Sequence, residues 1–229
     1  MSLFCFPVSY FRSQRALQWW QGRLLMQLSS EAEQIRDCLL QESFTIRRSL
    51  ELSLLNEDST SAEFNQDLLK KMEKLYYCLQ QLGDRLSPAY IEDSLPLAIK
   101  FLVESWLPSS NLKIKMEFPT FWQQETIDRN LVILRILDEL LQISSLELVA
   151  ERAIQISLKQ QGNISELIVK VSYPDVPTLI SYWGREDLEY LSQTFQFLTS
   201  GQCFRRREEL TVVWYFRWVT QFDKSQIES

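Results

Sequence analysis

Phe64, Leu68, Met72, Leu75, Leu79, Leu82 and Leu86 follow one another at gaps of 4, 4, 3, 4, 3 and 4, a rhythm that only a helix gathers onto one side. Such a heptad-like seam is buried by packing against another helix. Upstream, Leu24, Leu28, Ile35, Leu39, Ile46, Leu50 and Leu54 recur at intervals of four or seven residues and predict one long helix from about Gly22. The polar stretch Asn56 to Ala62 separates the two. A hairpin of long helices has more apolar face than each helix covers on the other, so the expectation is a dimeric four-helix bundle. The alternative is that the rest of the chain covers that face.

After Pro88 the pattern becomes mixed. It predicts a helix over 90–106, a strand over 112–118, a helix over 126–143, strands over 153–160 and 166–173 turning at Gly162-Asn163, a helix over 185–198, and a last hairpin of 203–208 with 210–218. This order puts helices on one face of a mixed sheet, an α+β architecture. With 5 glycines and 7 prolines in 229 residues, long regular elements dominate. The chain divides into an aromatic lead-in (1–20), the hairpin (21–88), the mixed domain (89–222) and a disordered tail (223–229). The aromatics of the lead-in suit either packing onto the body, the preferred reading, or an amphipathic contact surface.

Several function classes drop out. The chain contains no histidine, which removes serine-type triads, zincin motifs and phosphohistidine chemistry together. A net charge of -6 disfavours sequence-independent nucleic-acid binding, and Arg205-Arg206-Arg207, followed by Glu208 and Glu209, reads as a solvated hairpin before a local anion site. Cys5, Cys38, Cys78 and Cys203 show no zinc spacing and read as buried reduced thiols, with no metal site. No apolar run reaches bilayer length and no secretory signal opens the chain. These points predict a cytoplasmic protein.

The stretch Ile35-Arg36-Asp37-Cys38-Leu39-Leu40-Gln41 resembles the phosphoacceptor segment of nitrate-sensor type histidine kinases, in which a histidine precedes an aspartate and a glutamine follows four residues later. Asp37 and Gln41 match; Arg36 stands at the phosphoacceptor position, and its guanidinium stays protonated and is a poor nucleophile. The run Leu86 to Ala98, with Pro88, Ile91-Glu92-Asp93, Leu95 and Ala98, resembles that family's domain junction. The resemblance covers about residues 25 to 220 and implies a GHKL-type ATP-binding domain after the hairpin.

The nucleotide motifs depart from the pattern. The family's helix carries a glutamate and then a magnesium-holding asparagine; here Glu139 is kept, but Ile143 stands at the asparagine position and offers magnesium no oxygen. Asp138 and Gln142 are alternative, displaced ligands. The Asp-x-Gly-x-Gly adenine turn is replaced by Pro174-Asp175-Val176-Pro177, with Asp175 the sole candidate adenine contact and no glycine to let backbone amides approach phosphate.

The expectation is therefore a pseudokinase: no enzyme, no cofactor, a homodimer that binds a response regulator or a kinase and modulates it. The resemblance places the partner contact at Arg36, Asp37 and Gln41, with Glu42, Arg47 and Arg48 as flanking specificity residues or simply a solvated face. An assembly factor that binds an unrelated protein through the aromatic N-terminus or Trp183, Trp214 and Trp218 is the alternative. A residual nucleotide hydrolase using Asp138, Glu139 and Asp175 ranks below both.

Overall fold

The computed structural model describes residues 5–55, 62–86, 88–106, 112–145 and 152–220. The polar break at 56–61 and the tail at 223–229 lie outside them. Two compact units are present, Gly22–Pro88 and Met1–Gln21 with Ala89–Ser229.

The first unit is the hairpin. Helix α1 (Cys5–Gln34) begins well before Gly22, a π-helical segment (Ile35–Leu40) follows it, and α2 (Gln41–Leu55) completes the first arm; α3 (Ala62–Leu86) is the second. Leu24 to Ile35 and Ile35 to Ile46 are two intervals of eleven residues, which six uninterrupted α-helical turns would also carry nearly in phase, so the apolar spacing does not itself call for the π turn.

Cys38 and Cys78 are joined by a disulfide, with Cα atoms 6.7 Å apart, within the span such a bond bridges. This corrects the reading of these two as reduced thiols. They are 40 residues apart in sequence, but the hairpin sets them opposite each other, which spacing along the chain does not reveal. The cysteine argument for a cytoplasmic protein loses its premise with them. Cys203 is free and buried, as expected. Four residues beyond Cys38, Glu42 pairs with Lys74, four residues before Cys78. Much of the apolar seam is uncovered within the hairpin: Leu28, Met72, Leu79 and Leu86 are at least half exposed.

The second unit holds a five-stranded sheet of order β1-β2-β3-β5-β4, from β1 (Leu112–Glu117), β2 (Arg152–Gln161), β3 (Ile164–Ser172), β4 (Gln202–Glu208) and β5 (Thr211–Val219). Only β1 and β2 pair in parallel. The expected α+β class with a mixed sheet is what the chain forms. Gly162, at φ 61°, opens the two-residue β2–β3 turn, the backbone region that glycine enters without a Cβ penalty. Alternate residues such as Ile156, Val169 and Phe216 are fully buried. Phe195 of α7 (Glu186–Thr199) meets Phe216 and Trp218 edge-on at 5.1 and 6.3 Å. The core also takes α4 (Leu95–Trp106) and α5 (Ile127–Ser145), through Ile99, Val103, Ile136 and Leu140.

In this unit two further elements differ from the sequence reading. Helix α4 starts at Leu95, after a turn in which Tyr90 takes φ 63° and its carbonyl accepts from Asp93 and Ser94. Pro96 explains the late start: its missing N–H is harmless in a first turn and disruptive further in. An unexpected helix, α6 (Val176–Trp183), forms where a stiff turn was read.

Candidate functional site

Arg36 and Asp37 project from the π-helical segment and are exposed, as is Gln41 at the start of α2. The flanking residues have partners within the hairpin, Arg47 and Arg48 from exposed positions. Glu42 is half-buried against Lys74. Arg47 pairs with Glu51 at 2.8 Å and Arg48 reaches the same carboxylate at 3.9 Å. The hairpin therefore offers Arg36, Asp37 and Gln41 as adjacent polar groups, with the crosslinked Cys38 between them in sequence.

The residues expected around a nucleotide lie on α5 and before α6. Ile143 is 1% exposed and belongs to the core. Asp138 accepts from the Trp106 indole at 2.9 Å and from Gln142 at 3.2 Å, and burial raises its pKa although both donors oppose the shift. Gln142 is thereby a partner of Asp138. Glu139 is half-buried on the same helix. Asp175 is exposed and caps α6: its Oδ1 accepts from the Thr178 N–H at 2.8 Å, which holds the carboxyl below its usual range. With Pro177 in the first turn, Asp175 starts α6 as an N-cap should.

Helix α6 brings protein side chains to the end of α5. Leu179 and Tyr182 are buried. The Tyr182 hydroxyl accepts from Trp214 Nε1 at 3.2 Å and lies 3.3 Å from Ser144 Oγ, and its ring sits 4.9 Å from that of Tyr173. Burial pushes the Tyr182 phenol up. Arg205 stacks over Trp183 and Trp214, 4.5 and 5.4 Å from their centroids, and its Nη1 is buried with no hydrogen-bond partner among the described residues. Trp214 and Trp218 are core residues, 1% and 2% exposed, and offer no contact surface.

The other face of the sheet bears a shallow cavity of about 960 Å³ whose lining includes Lys113, Lys115, Lys170, Gln155, Glu208 and Glu209. Its charges are mixed: Lys115 is 3.0 Å from Glu117, and that contact holds the Glu117 carboxyl low. Among the described residues no group of three histidine, cysteine or acidic side chains is placed to hold a metal ion, and no helix is long and apolar enough to cross a membrane.

No protein-family model matches the chain, and neither does any curated protein. Among solved structures it is similar to histidine kinase ThkA in complex with response regulator protein TrrA, at 14% identity over 94% of this chain and 67% of that one, TM-score 0.46. The nucleotide-free catalytic domain of ThkA matches at 17% identity over 55% and 90%, TM-score 0.42. Acinetobacter baumannii histidine kinase AdeS matches at 11% identity over 80% and 98%, TM-score 0.42.

Proposed function

We propose that this chain is a histidine-kinase-like protein that binds a signalling partner, a response regulator or a kinase, and modulates it without transferring phosphate. The observation that carries the reading is the exposed Arg36-Asp37 pair with Gln41 on the first arm of the hairpin, where the resembling family presents its phosphoacceptor. An arginine there can pair with carboxylate or phosphate but cannot accept a phosphoryl group. Ile143, which lies in the core and offers magnesium no oxygen, and Asp175, whose Oδ1 caps a helix, support the absence of nucleotide chemistry. Tyr182 adds bulk beside Ser144 at the end of α5.

The uncovered seam of Leu28, Met72, Leu79 and Leu86 suits a second hairpin, so the working form is a homodimer. The decisive experiment is titration of the purified chain, by calorimetry and chemical-shift mapping, with the receiver-domain proteins of its own cell. One of them should bind, and Asp37→Ala or Arg36→Ala should weaken it. Binding to none of them would remove this reading.

A further inference from the structure

The disulfide and the π-helical segment coincide, and nothing in the proposed partner binding requires either. Cys38 lies inside the segment, half-buried, and Cys78 on α3 is 7% exposed. One turn away the Glu42–Lys74 pair holds the same antiparallel register, since Glu42 follows Cys38 by four residues and Lys74 precedes Cys78 by four. The register of the arms thus has a second, non-covalent tie beside the covalent one, and the covalent one is seated inside residues 35–40. A π turn is an uncommon backbone form that α-helical hydrogen bonding ordinarily replaces.

We propose that Cys38 and Cys78 are a reversible thiol–disulfide modification site whose state sets the helical form of residues 35–40, with a dithiol as the reductant. The thiolate of the dithiol attacks Cys38 Sγ, the more accessible sulfur; the S–S bond breaks and Cys78 leaves as a thiolate that takes a proton from solvent. The second thiol of the reductant then attacks the mixed disulfide and releases Cys38, so that the chain gains two hydrogens and the dithiol becomes a disulfide. Released from the crosslink, the segment takes α-helical hydrogen bonds. Returning the residue taken up in a π turn to α-helical turns rotates one side of the helix relative to the other by about 100° and shifts it by about 1.5 Å. Arg36 and Asp37 then change their direction relative to Gln41 and Glu42, which gives the exposed face two redox-dependent arrangements. The site stands whether or not the partner is a response regulator.

The test uses the full chain purified without reductant. Alkylation followed by peptide mapping should leave Cys38 and Cys78 unmodified, label both after dithiothreitol, and protect both again after oxidised glutathione. Hydrogen exchange of peptides covering residues 35–42 should change on reduction while peptides from α5 and β3 do not. Cys38→Ser and Cys78→Ser should each show the reduced-form exchange with or without dithiothreitol; if either variant misfolds, the reduced wild-type chain carries the comparison. Labelling of both cysteines before reduction overturns the proposal. So does a crosslink that dithiothreitol cannot open in the folded chain, or an exchange change at 35–42 no larger than that of the rest of the hairpin, as uniform loss of a purely structural staple would produce.

Discussion

Trp19 donates its indole N–H to the Asp187 carboxylate at 2.9 Å, across 168 positions of sequence. Asp187 lies in the first turn of α7 and also meets Arg185 at 3.1 Å, so a carboxylate suited to a helix N-terminus doubles as the anchor of the chain's first helix. The Trp19 ring sits 6.1 Å from Tyr190, and Ala16, 1% exposed, offers its carbonyl to Thr194 at 3.3 Å. These contacts pack the end of the aromatic lead-in, Ala16 and Trp19, onto the body; the side chains of residues 1–11 lie outside the described ones. Trp19→Phe keeps the ring and removes the donor to a charged acceptor, which should lower the unfolding free energy by about 1–3 kcal/mol. Ala16→Leu should cost about the same through overpacking. Denaturant titration monitored by tryptophan fluorescence measures both.

Alkaline pH should destabilise the sheet-containing unit. Burial pushes the Cys203 thiol up to about 12 from 9.0, and burial also raises Tyr182 above 10.0. Because both folded pKa values lie above the unfolded ones, the unfolded chain releases these protons first. The stability they contribute is complete below about pH 9 and is lost as pH rises towards 12. Cys203→Ser and Tyr182→Phe should each flatten the fall measured by denaturant titration between those limits. In the native chain at pH 8, Cys203 should resist alkylation and react only on unfolding.

Asp138 is a third acid whose anionic form burial disfavours. Its folded pKa is raised above 3.8 by burial, so the protonated form is the one the fold prefers. The stability linked to it is present below the unfolded pKa and is lost as pH rises through the folded one. Asp138→Asn keeps an acceptor for the Trp106 indole without the charge. The variant should be more stable than the parent at neutral pH, and the advantage should vanish near pH 3; thermal melts across that range measure it.

The Cys38–Cys78 bond closes a loop of 40 residues. In the chain-entropy account this constrains the unfolded state by about 4 kcal/mol. Cys38→Ser, Cys78→Ser and reduction of the parent should each lower the hairpin's resistance to denaturant by up to that amount. A double variant should lose no more than either single one, because the interaction is shared. Equilibrium unfolding in urea, with and without dithiothreitol, gives the comparison.

The sequence was most legible where one local signal had no competitor. Alternating apolar residues and Gly162-Asn163 define β2 and β3, and the heptad-like seam defines α3. Helix α6 is hard to read although Asp175, Val176 and Pro177 form an N-cap and first turn: two nearby prolines equally suit a stiff turn, and a short helix has little periodicity to oppose that reading. The π turn was hidden because eleven-residue spacing also fits an uninterrupted helix. The disulfide was invisible for a different reason, since it depends on the register of two arms 40 residues apart. At the candidate site, the exposure of Arg36, Asp37 and Gln41 agrees with their polar character. The inward turn of Glu42 towards Lys74 and the capping role of Asp175 are consequences of tertiary packing and local capping that a motif match does not contain.

The proposed function stands on the absence of nucleotide binding. Calorimetric titration of the oxidised, full-length chain with ATP and magnesium tests it most directly. The account predicts no heat beyond dilution, and the same for ADP. A saturable isotherm of micromolar affinity, abolished by Glu139→Gln, would contradict it.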